Sequence, residues 1–158
     1  MSLDDVSGCD SDPTVQISAD LFKVARDAHQ LQRSTTQPLE QRVFAPNYRL
    51  AVEVAGFPRL IVSLNRDLVL GRSDNFSDYR PDIDLGPYSG QRMGVSRRHA
   101  VLRCINDELY LADLDSRNGT LINEHRISAH TFYAVHSEDI IALGALRLRL
   151  CFVDAGTL

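Results

Sequence analysis

Three short polar signals stand out of a stretch that is otherwise apolar and strand-like, between Leu68 and Asn123. They are Gly71-Arg72 after Leu68-Val69-Leu70, Ser96-Arg97-Arg98-His99 before Ala100-Val101-Leu102, and Asn118-Gly119-Thr120 directly after Arg117. Cations, hydroxyls and amides at strand ends are the equipment of anion capture. The only lysine in the chain is Lys23, so every cation from residue 48 onward is an arginine. Its planar guanidinium grips a phosphate or carboxylate at two points. A GC-rich genome would produce the same arginine bias, and composition alone leaves both readings open.

Catalysis is a poorer fit to these residues. Ser96 and His99 resemble a nucleophile and its base, but three residues apart across a loop and a strand start they face differently, and no Gly-x-Ser-x-Gly elbow accompanies them. His29, His125, His130 and His136 show no ligand spacing, and the sequence has no phosphate-cradling Gly-rich loop. No enzyme activity, metal or cofactor is expected.

The elements that must position the polar signals are strands. Leu50, Val52 and Val54 alternate with Ala51, Glu53 and Ala55, and Leu146, Leu148 and Leu150 alternate with Arg147, Arg149 and Cys151, the period-two pattern of a sheet with one wet face. Between them come short apolar runs at Leu60 to Leu64, Leu68 to Leu70, Asp82 to Leu85, Ala100 to Ile105, Glu108 to Leu114, Thr120 to Ile122, Phe132 to Val135 and Asp139 to Leu143. Ten or eleven short strands with no helical window predict two packed antiparallel sheets over residues 48–158, an all-β sandwich. Loops at one end of such a sandwich bring distant side chains to a common rim.

Residues 1–47 read differently. They hold seven acidic and four basic residues against fourteen and thirteen in the remainder, so the extension is the acidic part of a chain of net charge −4. Residues 1–17 are rich in Ser, Asp and Gly, a composition that predicts disorder. Leu21, Val24, Ala25, Ala28 and Leu31 then fall at helical spacing behind Ser18 as N-cap, which predicts either an amphipathic helix over residues 19–32 or a weakly helical linker. The net charge argues against nucleic-acid binding. No run approaches the ~20 apolar residues of a membrane span, and the N-terminus has no export signal, so no membrane insertion is expected. Cys9, Cys104 and Cys151 form neither a disulfide framework nor a zinc site, which points to a reducing cytoplasm.

The order Gly-Arg, Ser-x-x-His, Asn-Gly-Thr, over roughly Tyr48 to Val153, resembles the forkhead-associated (FHA) domain, a phosphothreonine-peptide reader. The resemblance implies an FHA-like antiparallel β-sandwich of about eleven strands. It also implies that Arg72 and Ser96 contact the phosphate, that Arg97 adds a donor, that Arg117 borders the phosphate, and that Asn118 holds the peptide main chain. A phosphothreonine, with about −1.5 to −2 charge and three acceptor oxygens, needs such a set. Gly71, His99, Gly119, Thr120 and Asn123 become loop supports: Gly71 for a sharp turn, His99 as a buried brace of the Ser96 loop, Gly119 for a turn conformation and Thr120 for a bond to backbone.

Two turns depart from the family pattern, with Asn123-Glu124 where Asn-Gly is common and Glu138-Asp139 where Gly-Asp is common. The long loop from Ser73 to Val95, with Phe76, Tyr79, Tyr88 and Met93, is expected to shape the pocket for the residue three places after the phosphothreonine. Gly94 instead of a cation near Ser96 favours an apolar residue there. The function implied is a non-catalytic adaptor or regulator in bacterial-type Ser/Thr kinase signalling, in the cytoplasm. Its partner would be a phosphothreonine protein, either the kinase or a substrate. The alternative is a phosphate-independent interaction scaffold on the same fold. Thr14 and Thr36 in the extension are candidate phosphorylation sites, through which the chain would bind its own tail.

Overall fold

A computed structural model describes residues 48–157 and the backbone of residues 23–24. The strands are β1 (Lys23–Val24), β2 (Tyr48–Glu53), β3 (Leu60–Val62), β4 (Leu68–Gly71), β5 (Ile83–Asp84), β6 (Ala100–Ile105), β7 (Glu108–Asp113), β8 (Thr120–Ile122), β9 (His125–Arg126), β10 (Thr131–Val135), β11 (Ile140–Leu143) and β12 (Leu146–Asp154). They form two six-stranded sheets, ordered β1-β10-β7-β6-β4-β5 and β3-β2-β12-β11-β8-β9. The only helical pieces among the described residues are 3-10 turns at Gly86–Tyr88 and Ala155–Thr157.

Alternation does what a half-buried strand requires. Leu146, Leu148 and Leu150 of β12 are buried while Arg147 and Arg149 are exposed, and Leu50 and Val52 of β2 face the same core. Leu70, Leu102, Leu109 and Leu111 from the first sheet meet Ile141, Leu143 and Leu148 from the second in one apolar cluster. On the outer face of the first sheet Val101, Ala112 and Phe132 make a second, smaller one. Arg103 lies over the Phe132 ring at 4.8 Å while its guanidinium holds Asp67 at 2.5 Å, so a long cationic stem shields this cluster from water. Burial pushes both described thiols up, Cys151 to about 12 with the Glu138 carboxylate adding to the effect. They behave as small apolar fillers, not as nucleophiles.

The sheets differ from the sequence expectation in three places. The pairing is mixed and not purely antiparallel, because β5 runs parallel to β4 and β1 parallel to β10. Strand β9 is polar and exposed, so hydrophobic alternation did not mark it; a two-residue turn at Asn123-Glu124 folds it back on β8. The helix expected over residues 19–32 lies outside the described residues except at Lys23–Val24, whose backbone is extended and paired with Thr131 and Phe132. Pairing beside β10 requires an extended backbone, which the short segment takes. The disorder expected for residues 1–17 also falls outside the described residues.

Both family-departure turns carry backbone strain. Asn123 and Glu124 have φ of 47° and 70°, the doubly left-handed form of a tight hairpin turn, and Glu138 has φ of 73°. A residue with a Cβ pays for that conformation, about 1 to 2 kcal/mol relative to glycine. At Glu138 the offsetting gains are an exposed ion pair to Arg149 at 3.4 Å, worth at most about 1 kcal/mol, and a weak hydrogen bond from the Cys151 thiol. Glu138→Gly is therefore expected to stabilise the domain by about 0.5 to 1 kcal/mol, read as a raised urea midpoint. A lowered midpoint would show that the ion pair outweighs the strain.

Candidate functional site: an arginine-lined rim

Strand pairing decides where the polar signals meet. Antiparallel pairing sets Leu70, at the end of β4, beside Ala100 at the start of β6, and Ala100 beside Asp113 at the end of β7. The loops that leave β4, enter β6 and leave β7 therefore share one end of the first sheet. Strand β8 starts in the other sheet, with Thr120 paired to Leu143. It is tied across by the Thr120 hydroxyl, which donates to Asp113 Oδ2 at 2.5 Å.

Asp113 is the hub of this end. Its buried carboxylate accepts from the Ser116 N–H at 2.9 Å, the Ser116 hydroxyl at 2.6 Å and Thr120, and Ser116 Oγ in turn accepts from Gly119 N–H at 3.0 Å. The loop from Leu114 to Gly119 is thus wound around one carboxylate. Gly119 takes φ of +81° with the Arg126 guanidinium so close above it that a Cβ would lie 2.3 Å from a nitrogen. A side chain there is strained by the positive φ and would have to displace the Arg126 guanidinium.

His99 ties the second loop to the third. Its fully buried ring accepts the Ser96 N–H at Nδ1 (2.9 Å) and reaches the Gly119 carbonyl from Nε2 at 3.0 Å. An acceptor at Nδ1 and a carbonyl at Nε2 require the neutral tautomer with its proton on Nε2. Burial holds the imidazole below its usual pKa against the opposing pull of the Gly119 carbonyl and of Asp113, whose carboxylate is 4.0 Å away. The neutral form is what the geometry needs.

With its N–H spent on His99, Ser96 presents its hydroxyl outward. Oγ accepts the Arg117 N–H at 3.1 Å, and the hydroxyl proton has no acceptor among the described residues. Arg72 is fixed from below: Nε donates to the Val95 carbonyl at 2.8 Å and its own N–H to the Arg97 carbonyl at 3.3 Å. Gly71 is required by this crossing and not by a turn, since a Cβ would lie 1.8 Å from the Arg97 oxygen. Next along, Ser73 donates from N–H and hydroxyl to Asp84 at 2.9 and 2.5 Å, and Gly86 N–H adds a third bond at 2.8 Å. Burial alone would raise the Asp84 carboxyl, but these donors outweigh it and hold it below the ordinary value.

Arg72, Tyr79, Ser96, Arg97, Arg98 and Arg117 together line one open cavity of about 560 Å³. Asp74 sits at its side, 3.8 Å from both Arg72 and Arg97. Asn118 stands next to it, with Nδ2 bonded to the Gly94 carbonyl at 2.8 Å. Such a set can hold a tetrahedral oxyanion between guanidinium groups and a hydroxyl donor.

Arg72, Ser96, Arg97 and Arg117 are thus brought to the cavity, with Asn118 beside it and Gly71, His99, Gly119 and Thr120 beneath it. Asn123 is elsewhere: its side chain bonds Asp139 and the Ile140 N–H at 2.8 and 2.9 Å, bracing the β8–β9 turn against β11. Thr120 uses its hydroxyl on Asp113 and not on backbone. The aromatic residues of the long loop scatter. Tyr79 lines the cavity and Phe76 is 99% exposed, whereas Tyr88 packs on the core with its ring 5.1 Å from that of Phe57. Thr14 and Thr36 lie outside the described residues. Sequence reasoning missed Arg98, Asp74 and Asp113; only the last had a signal, the Asp-x-x-Ser spacing of a side-chain-capped turn.

A family model described as FHA domain matches residues 68–144, the stretch that carries all three polar signals. Those residues are an FHA domain. The fold is shared with full-length yeast Pml1p (21% identity over 67% of this chain and 81% of that one, TM-score 0.56). It is shared too with the MEK1 FHA domain in complex with a HOP1 phosphothreonine peptide (23% identity, 70% of this chain and 99% of that one, TM-score 0.52). The N-terminal FHA domain of Saccharomyces cerevisiae Rad53p, in complex with a phosphothreonine peptide, is a third (18% identity, 66% and 94%, TM-score 0.53). Among curated protein sequences none matches this chain.

Proposed function

We propose that this FHA domain is a non-catalytic phosphothreonine-peptide recognition module acting as adaptor or regulator in Ser/Thr kinase signalling. The observation that carries the reading is the convergence of Arg72 and Ser96 on one cavity, the arginine anchored through Nε and the serine hydroxyl turned outward by His99. A dianionic phosphate would lie between the Arg72 guanidinium and the Ser96 hydroxyl, with Arg97 and Arg117 bordering it. Asn118, anchored to Gly94, would take the peptide main chain through its remaining polar groups. That two structural neighbours were solved with phosphothreonine peptides supports the same reading. The partner is then a phosphothreonine protein, a kinase or its substrate.

The extension offers an internal ligand. Thr36 is joined to the domain by the eleven residues Gln37 to Asn47, which reach up to ~36 to 40 Å, and tethering places it at about millimolar effective concentration. Phosphorylated at Thr14 or Thr36, the chain would occupy its own site. The test is a titration of one threonine peptide, phosphorylated and unmodified, into the full chain before and after kinase treatment. The expected result is binding of the phosphorylated form alone, weakened at least about tenfold by kinase treatment and restored in a Thr14→Ala/Thr36→Ala double variant. Equal affinity for both peptides would replace the module reading with a phosphate-independent scaffold. Binding indifferent to kinase treatment would refute self-occupation.

A further inference from the structure

The cavity carries more positive charge than one phosphate uses. Four arginines line it, and one carboxylate, Asp74, stands against them, shared by Arg72 and Arg97 at 3.8 Å each. The net of about three positive charges exceeds the roughly 1.5 to 2 negative charges of a phosphothreonine by about one. Within the cavity the excess sits on Arg98 and Arg117, whose side chains have no carboxylate partner among the described residues, whereas Arg72 and Arg97 share Asp74. Arg98 is half-buried, so its lack of a partner is not simply that of a side chain extended into water. A cavity of about 560 Å³ also has room for more than a single tetrahedral anion.

We infer that Arg98 forms a second anion subsite beside the phosphate site, with Arg117 on the border between the two, so that the preferred ligand carries a further negative group within one or two residues of its phosphothreonine. The inference rests on the phosphothreonine reading of the same cavity. A glutamate or aspartate side chain and a second phosphate share the required chemistry. Arg98 lines the cavity together with Tyr79, whose hydroxyl feels its charge, whereas Arg97 stands at the Asp74 side and His99 is buried in the brace.

The experiment compares four peptides on the full chain by fluorescence anisotropy: a phosphothreonine flanked by alanines, the same with an adjacent glutamate, the same with an adjacent second phosphothreonine, and a control with the glutamate six residues away. The adjacent glutamate is expected to tighten binding by about fivefold to tenfold and the second phosphate by more, with little effect from the distant one. In Arg98→Gln the gain from an adjacent anion is expected to shrink to twofold or less. A gain from the glutamate as well as the phosphate assigns an acidic flanking residue; a gain from the phosphate alone assigns a doubly phosphorylated ligand. Equal affinities for the first two and the third, an equal gain from the distant glutamate, or a gain unchanged in Arg98→Gln would each overturn the subsite. Failure of the singly phosphorylated peptide and all the others to bind would instead overturn the phosphothreonine reading, and the subsite with it.

Discussion

Arg72→Ala is expected to lower phosphothreonine-peptide affinity by about tenfold to hundredfold while the sandwich stays folded. Among the described residues the guanidinium is the only one at the cavity held by a backbone acceptor, through Nε to Val95 O, and that bond leaves its terminal nitrogens for an anion, one of them 3.8 Å from Asp74. Losing a charge-assisted pair costs about 1.5 to 3 kcal/mol, which is that range of affinity. Arg72→Lys is expected to recover little, because an ammonium cannot hold the Val95 carbonyl with one nitrogen and a phosphate with others. A titration showing wild-type affinity for Arg72→Ala would remove the phosphate from this end of the cavity.

His99→Ala should act mainly on stability. The ring satisfies the Ser96 N–H and shares the Gly119 carbonyl with the Gly144 N–H, so its loss leaves the Ser96 N–H without its acceptor, the Gly119 carbonyl with one donor in place of two, and a hole beneath both loops. The expected cost is about 1 to 3 kcal/mol, with the loss of peptide affinity secondary. Unaltered thermal unfolding together with abolished binding would make His99 a ligand and not a brace. The wild type should also show a pH signature. Its folded-state pKa is lowered from 6.5, so below about pH 6.5 the unfolded chain takes up a proton that the folded chain refuses. Stability contributed by the neutral ring is complete above that pH and falls as pH drops toward the folded value, by at most about 1.4 kcal/mol per pH unit. The difference in slope between wild type and His99→Ala, from urea melts at pH 7 to 5, isolates this proton; parallel curves would show that the ring is not held neutral.

What the sequence made legible were the features that depend on near neighbours. Leu146 to Leu150 alternate because β12 has one wet face, and Gly71-Arg72, Ser96 and Asn118-Gly119 sit where strands end. What it hid depends on groups far apart in the chain. Nothing near Asp113 announces that the Thr120 hydroxyl will be tied to it from the other sheet, and nothing near Arg98 says which wall it will line. Gly71 was legible as a glycine but not for its reason, since the oxygen that excludes a side chain belongs to Arg97, in another loop. The parallel pairing of β4 with β5 was hidden for the same cause: two residues, Ile83 and Asp84, carry no period of their own, and Asp84 is held by Ser73 and Gly86.

The sheet orders carry one more consequence. Among the described residues, the outermost strands β5, β3 and β9 are two, three and two residues long, while β12 at the centre of its sheet has nine. A foreign chain that would add itself to a sheet needs a continuous row of free backbone donors and acceptors, and strands this short do not present one. Those three edges are thereby guarded against edge-to-edge aggregation and offer little to an added strand. Under the proposed function, selectivity would then fall to the loop side chains, where a substitution such as one at Arg98 would leave intact the ladder of bonds that holds the sheets.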